Sequence, residues 1–495
     1  MSTPDFIVVG GGSGGAVAAA RLAELGAGRV TVLEAGPSHR HPLVSMPFGL
    51  IWLMGSKRDW QFKSAPLAGG RRIGVPRGKM LGGSGSINSM VWFRGRAADF
   101  DGWARPGWSY SDVAPHFEAV EARLKPATLV DPHPLTRKLS GLLGGNAENP
   151  TPDYESAGVF RFNLVGGRRN SAANAFLDGA DVTVRTGAQV DRLIFEGDRA
   201  AGVRLIDGTE IRAAKGVVLA AGSIASPAIL LRSGIGPSED LSALGIDTRH
   251  DAPGVGANLH DHPAVGAHFE GAGSGYGLEA AQLPAWAAAP FRYLLNRGGR
   301  LTSPTVEGGA FFNARGDGPK PDVQSHFIPF KLDTQGRKVS WGAGYFADVC
   351  LCRPKSRGRL RLAAKDPKAA PEIDLNLLAE DSDLETLAHG FARLRRLLDE
   401  ADFGPRRARE VLPGRAVEGH AAIREMIRAR CGTAYHPVGT LSLGGPVSDR
   451  LAVKGADGLW VADASVMPQV TSGNTNAPTM MIGHRAADFI AEDCR

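Results

Sequence analysis

Residues 5–36, DFIVVGGGSGGAVAAARLAELGAGRVTVLEAG, change hydrophobic period twice. FIVV is a short, continuously apolar run, the pattern of a strand buried on both faces. AVAAARLAELG then sets small and apolar residues at helical spacing and closes on Gly26, a residue suited to ending a helix. RVTVLE reads as a second strand that ends on Glu34. Further on, GVVLAAG (216–222) predicts another buried strand, and SIASPAILLRSG a short helix with Ser223 or Ser226 near its start. PDVQSHFIPF (321–330) alternates as a half-buried strand does. LETLAHGFARLRRLLDEA (384–401) has apolar residues at helical spacing and predicts an amphipathic helix. The stretch 182–220 is strand-rich, 458–493 closes with a strand and a helix, and no internal repeat is visible.

Size and composition narrow the picture. At 495 residues the chain is too long for one simple core, and roughly two or three domains are expected. Hydrophobic content of 43% and charged content of 22% are ordinary for a globular protein. The 65 glycines and 32 prolines are spread along the chain, which implies many tight turns rather than disorder. The net charge of +6 is mild, and arginines cluster in helix-like stretches such as 390–410, which predicts a solvated helix face and no nucleic-acid partner. Four cysteines make no disulfide framework, and Cys350 and Cys352 stand two apart in a strand-like run. An apolar strand beginning at Phe6 leaves no room for a signal peptide, and no run of about 18 apolar residues predicts a membrane span. A cytoplasmic location is the expectation.

Between the first strand and helix stands Gly10-x-Gly12-x-x-Gly15, with Glu34 nineteen residues beyond Gly15. Strand, glycines, helix, second strand and acid together make the dinucleotide fingerprint. Gly10 permits the tight turn. Gly12 lets a pyrophosphate approach the backbone at a helix N-terminus, where free N–H groups favour an anion. Gly15 lets helix and strand pack closely, and Glu34 suits ribose hydroxyls while repelling a 2′-phosphate. Gly342-x-Gly344-x-x-Ala347 repeats the spacing, but it precedes a strand-like segment and is read as chance, leaving one dinucleotide site. PRGKMLGGSGSINSMVWFRG (76–95) packs glycines around short hydroxyl side chains, so many backbone N–H groups can face a ligand.

The segment at 76–95 and AAGSIASPAILLRSGIG (220–236) together resemble the two signature segments of the glucose–methanol–choline (GMC) oxidoreductases. The likeness runs on through GGRRNSAANAFL, DVTVRTGAQVDRLIFEG, PDVQSHFIPF, PKSRGRLRLAAKDPKAAPEIDLN, TAYHPVGT and GLWVADASVMPQVTSGNTNAPTMMIGHRAADFIA, in the family's order. It covers nearly the whole chain, and the general look is that of the choline-dehydrogenase-like bacterial branch. The resemblance implies an α/β (α+β overall) protein with a Rossmann-like FAD-binding domain and a substrate domain on an antiparallel sheet. The former would take 1–98, 180–262 and 446–495, and the latter 99–179 and 263–445. The adenine half of FAD would lie at Gly10, Gly12, Ser13, Gly14, Gly15, Glu34, Ala35 and the backbone of Val190. The isoalloxazine would lie by Gly82, Gly83, Asn88, Ser89, Met90 and Val91, with Arg77 and Tyr435 close by. Asp463 and Ala464 would approach the ribityl and pyrophosphate, with Ala221 and Gly222 adjoining and Asn476 facing the flavin. Some members attach FAD through a histidine beside the position of Asn88. Ile87 stands there, so a non-covalent flavin is expected.

Alcohol oxidation needs a hydride acceptor and a base, and histidine has the natural pKa for the base. His436 in TAYHPVGT, held out of helical conformation by Pro437, matches the family's catalytic histidine, and Asn474 in GNTNAPT its second catalytic position. His260 and His262 in NLHDHP are competitors, but as a pair without a third ligand they do not predict a metal, and the resemblance puts them at a domain junction. Glu307 is a candidate substrate-side carboxylate, with buried structural packing the opposing reading. Ala434 is small enough to leave room for oxygen near the flavin. The leading expectation is oxidation of a primary alcohol to an aldehyde by hydride transfer, with O2 or an external acceptor as second partner. A hydroxynitrile lyase-like activity, a photodecarboxylase, and a flavin-binding protein without activity are the alternatives.

Overall fold

The computed structural model describes residues 3–144, 150–333, 339–401, 403–404 and 408–495. The elements that position the site are, in chain order, β1 (Phe6–Val9), α1 (Ser13–Glu24), β2 (Val30–Glu34), α2 (Tyr110–Leu124), β3 (Ser156–Val159), β4 (Thr183–Thr186), β5 (Gly216–Leu219), α3 (Gly222–Arg232) and β6 (Pro263–Glu270). There follow β7 (Gly308–Phe312), β8 (Val323–Ile328), β9 (Gly344–Leu351), α4 (Asp381–Glu400), β10 (Arg409–Leu412), α5 (His420–Arg430), β11 (Gly432–Thr433), β12 (Leu459–Val461) and α6 (Asn476–Asp493).

Five strands form one parallel sheet in the order β4-β2-β1-β5-β12. Parallel strands are covered on both faces and so are apolar throughout, as FIVV and GVVL are; every residue of β1 and β5 is buried. Gly10 ends β1 at φ +97°, and a Cβ there would stand 2.5 Å from the carbonyl oxygen of Ala220 after β5. Only glycine lets the two strand ends approach this closely. The last helix returns to the first: a Cβ at Gly483 of α6 would lie 2.2 Å from the carbonyl oxygen of Gly14 in α1. The strand-rich stretch 182–220 divides, with β4 and β5 joining this sheet and Val190–Glu196, Arg199–Leu205 and Glu210–Arg212 pairing as a small antiparallel sheet.

The second large sheet is antiparallel, in the order β10-β6-β9-β8-β7-β3, with β11 also pairing β6. Alternation in β8 sorts its residues. Val323 and Phe327 enter the core beneath α4, with Leu384, Leu387, Phe391 and Leu394 from that helix. Gln324 and His326 therefore point the other way. The second glycine pattern, at 342–347, runs into β9 and forms no helix.

The arginine-rich helix meets expectation in part: Arg396 is on an exposed face with Asp399 and Glu400, but Arg393 and Arg395 are not. Arg395 of α4 is buried, with Nε 3.0 Å from the Glu410 carboxylate of β10, and Arg393 pairs with Glu155. A buried guanidinium without a carboxylate would be costly, so these arginines tie the helix to its sheet instead of facing water. Residues 402 and 405–407 of that stretch lie outside the described residues. Among the described residues no helix is long and apolar enough to cross a membrane.

Candidate active site

A cavity of about 1860 Å³ is lined from both sheets. Its nucleotide end is made where β1, β2 and β5 stop. Gly10, Gly12, Ser13 and Gly14 line it at the start of α1, where the first N–H groups of a helix have no partner within it. A Cβ on Gly12 would meet nothing nearer than 3.8 Å, so protein packing does not demand glycine there. The space it leaves suits a ligand. Glu34, 6% exposed at the end of β2, accepts from the N–H groups of Gly11 (3.1 Å) and Gly36 (2.8 Å). Burial pushes its pKa up, and these N–H groups and the charge of Lys79 oppose that. The carboxylate retains lone pairs for ribose hydroxyls.

The wall continues with Gly83, whose added Cβ would lie 2.8 Å from Cα of Gly12, so two glycine segments touch to form one cradle. Asp463, buried at the end of β12, accepts from Gly222 N (2.8 Å) and Ser226 Oγ (2.6 Å) and so locks β12 to the start of α3. Ser13 donates to Asn476 Oδ1 (2.7 Å), while Asn476 Nδ2 is buried with no protein partner. A cofactor with acceptor atoms would satisfy it. These features fit a dinucleotide bearing a polar ring system. Ala35, Arg77, Asn88, Ser89, Met90, Val91, Val190, Ala221, Gly222, Tyr435, Ala464 and Ala434 line the same cavity, as does Ile87. Gly15 and Gly82 are not on its wall. Gly15 packs against the Gly10 carbonyl, and Gly82 makes a turn at φ +86°. Asn88 Oδ1 accepts from Met90 N (2.9 Å) and from Arg169 Nη1 (2.8 Å). Burial brings the Arg169 guanidinium down to about 9.

The other end is built from side chains. His436 lies outside any regular element, after Tyr435 at φ +67°. Its N–H donates to Asp261 Oδ1 (2.9 Å), and Arg77 donates to the Tyr435 carbonyl, so the backbone is held on both sides. Burial raises the pKa of Asp261 to about 6 against opposing hydrogen bonds. Burial also holds the His436 pKa well below that of a free imidazole, and His262, His326 and Arg77 add to this. Nε2 of His436 stands 3.2 Å from Asn474 Nδ2, and Asn474 Oδ1 accepts from Gln324 Nε2 (3.1 Å). The two residues expected to act together do meet.

Three residues here were not expected. His262, read as sitting at a domain junction, has Nδ1 3.1 Å from Nδ1 of His436. Gln324 and His326 project from β8 on the face opposite its core residues. His326 pairs through Nδ1 with Asp348 (3.0 Å) and neighbours Asn474. Burial pulls the His326 pKa down, but Asp348 outweighs it and the net direction is upward. The alternation of PDVQSHFIPF carried the signal, because it puts Gln324, His326 and Ile328 on one face.

Glu307 takes the structural reading. It is 1% exposed, does not line the cavity, and accepts from His133 N (2.7 Å) and Thr136 Oγ1 (3.0 Å). Burial raises its pKa to about 7.

Residues 4–264 and 354–483 match the N-terminal and C-terminal parts of the GMC oxidoreductase family. The chain is 34% identical to an alcohol dehydrogenase [acceptor] of Pseudomonas putida and 36% identical to an oxygen-dependent choline dehydrogenase of Brucella suis biovar 1 (strain 1330). Each likeness covers 98% of this chain and 95% of the relative. Among solved structures, formate oxidase of Aspergillus oryzae superposes with a TM-score of 0.88 at 26% identity over 99% of this chain and 98% of that one. Pyridoxine 4-oxidase from Mesorbium loti gives 0.84 at 27% over 98% of each. None of these names is that of a lyase or a decarboxylase. With cradle, cavity and both matched segments in one order along one fold, the protein belongs to the GMC oxidoreductases, FAD-dependent enzymes acting on CH–OH groups.

Proposed function

We propose that this enzyme oxidises an uncharged primary alcohol to an aldehyde, with His436 as base and Asn474 holding the substrate oxygen. The observation that carries this reading is the meeting of His436 Nε2 and the Asn474 amide, 3.2 Å apart, in the cavity that also holds the glycine cradle. FAD, when bound, supplies the hydride acceptor. Neutral His436 takes the hydroxyl proton on Nε2. Asn474 donates to the oxygen as charge develops on it. Apolar walls from Leu50, Ile51, Met54, Val306 and Ile328 exclude water and orient the carbon chain. In this reading 1–98, 180–262 and 446–495 hold the cofactor and lend Leu50, Ile51, Met54 and Asn474 to the substrate, and 99–179 and 263–445 supply the rest of the substrate side.

The lining also argues for the substrate class. Among the described residues the acids on the cavity wall are Glu34, Asp348, Glu372 and Asp463. Glu34 and Asp463 belong to the nucleotide end, Asp348 is engaged by His326, and Glu372 is exposed on the short strand Glu372–Asp374 rather than beside His436 and Asn474. A quaternary ammonium needs a free carboxylate or an aromatic cage; Glu307 is out of reach, Trp60 and Phe62 stack on each other, and Phe346 packs on His268, which leaves Tyr435 as a single ring beside His436. Choline, the substrate in several relatives' names, is therefore disfavoured.

Anaerobic mixing with a panel of alcohols tests both parts, since only hydride transfer bleaches the flavin near about 450 nm. Apolar primary alcohols should bleach it and choline should not. Bleaching by choline alone removes the substrate reading, and no bleaching by any alcohol removes the reaction. Electrons then pass to O2 or to an external acceptor, and the speed of recolouring in air distinguishes these. Acid precipitation should release the yellow colour, as a non-covalent flavin requires.

A further inference from the structure

NLHDHP places His262 against the ring of His436. His262 is fully buried, and its Nε2 stands 3.1 Å from the carbonyl oxygen of Thr471. A carbonyl only accepts, so a neutral His262 carries its proton on Nε2 and presents a lone pair on Nδ1. That Nδ1 is 3.1 Å from Nδ1 of His436. Two bare nitrogens would repel at this distance, so His436 holds its own proton on Nδ1 and leaves Nε2 bare. Asn474 agrees independently, because its Oδ1 accepts from Gln324 and its Nδ2 is thereby turned to donate to Nε2 of His436. One carboxylate oxygen sets the spacing of the two rings: Asp261 Oδ1 accepts from the backbone N–H of His262 (2.7 Å) and of His436 (2.9 Å). Burial takes His262 down to about 4, which keeps it neutral at ordinary pH.

We propose that His262 is a positioning residue that fixes His436 as the Nδ1–H tautomer and so aims a bare Nε2 at the substrate hydroxyl. This rests on the reading of His436 as the base. In the step itself the alcohol O–H bond breaks and its proton joins Nε2 of His436. The proton on Nδ1 stays where it is, and its hydrogen bond to His262 becomes charge-assisted, which steadies the imidazolium as hydride leaves the carbon.

The test compares His262→Leu with His262→Gln in the FAD-loaded enzyme. A glutamine amide can place oxygen against Nδ1 of His436 and N–H against Thr471, whereas leucine can do neither. Flavin reduction should fall by on the order of 10²–10⁴ in His262→Leu and by less than about tenfold in His262→Gln. Nitrogen–proton NMR of histidine-labelled oxidised enzyme reads the tautomer without turnover, with His436 assigned by its loss in His436→Gln. Wild type and His262→Gln should show His436 protonated on Nδ1, and His262→Leu should shift protonation to Nε2. A wild-type His436 protonated on Nε2 overturns the proposal, and needs no folded variant. So does His262→Leu with unchanged tautomer and rate. If instead His436→Ala reduces flavin at the wild-type rate, the base assignment fails while the NMR result still judges His262.

Discussion

The two ends of the cavity are made of different material. The nucleotide end is backbone: glycines whose missing side chains leave space, helix N–H groups, and acids that bind backbone N–H groups in turn. The catalytic end is side chains, from His262, Gln324, His326, His436 and Asn474, each oriented by the next. The first should therefore break when atoms are added and the second when atoms are taken away.

The largest effect should come from subtraction at the catalytic end. His436→Ala should keep FAD, read from its visible absorbance, and lose on the order of 10²–10⁴ in the rate of anaerobic flavin reduction. Addition at the other end should invert this pattern. Gly12→Leu fills the space left at the cradle and should lose FAD, measured as flavin per protein, while the circular dichroism of the fold persists. Retention of FAD by that variant would contradict the cradle. Asn474→Ala removes one donor and should cost on the order of 10–10² in reduction rate, less than loss of the base.

pH sharpens the same contrast. A base whose pKa burial holds well below 6.5 stays neutral in weak acid, so the rate of flavin reduction should be level from pH 8 down past 6.5 and fall only below that. A limb centred at 6.5 would refute the burial argument. The buried histidines also link pH to stability. His262 titrates near 4 when folded and near 6.5 when unfolded, so below 6.5 the unfolded chain binds more protons. Its contribution is present above 6.5 and is lost as pH falls toward 4, by about 3 kcal/mol at pH 4. His260, near 3 when folded, acts in the same direction. Melting temperature against pH should show a decline beginning below 6.5. The smallest effect belongs to Glu307→Gln, outside the cavity: turnover should stay within about twofold of wild type, a change that excludes direct contact with substrate.

The same contrast explains what was legible in the sequence. The cradle uses neighbours in the chain, Gly10 to Gly15 and then Glu34, so a local pattern carries it. His436 and Asn474 were reached through motifs. His262, Gln324, His326 and Asp348 come from separate segments, and only the pairing of β6, β8 and β9 brings them to one place. No spacing encodes that. Glu307 is open between two readings in the sequence, and the geometry favours the structural one, since the acid satisfies backbone and hydroxyl groups within the core. Arg393 misled for a similar reason, since its partner Glu155 is distant in sequence, whereas the partner of Arg395, Glu410, lies in the same stretch and was reachable only by knowing that the chain turns back as β10.

The parallel sheet begins at Phe6 and receives its last strand at Leu459, and α6 then covers α1. During synthesis, Gly10 to Glu34 leave the ribosome long before Asp463 and Asn476, and then wait for these partners of the same wall. At about 5–20 residues per second that wait lasts tens of seconds. For that interval β5 lacks its neighbour β12 and α1 lacks α6, while the whole antiparallel sheet is made in between. A cofactor site with walls from both ends of this sequence is therefore complete only after Asn476 has been made.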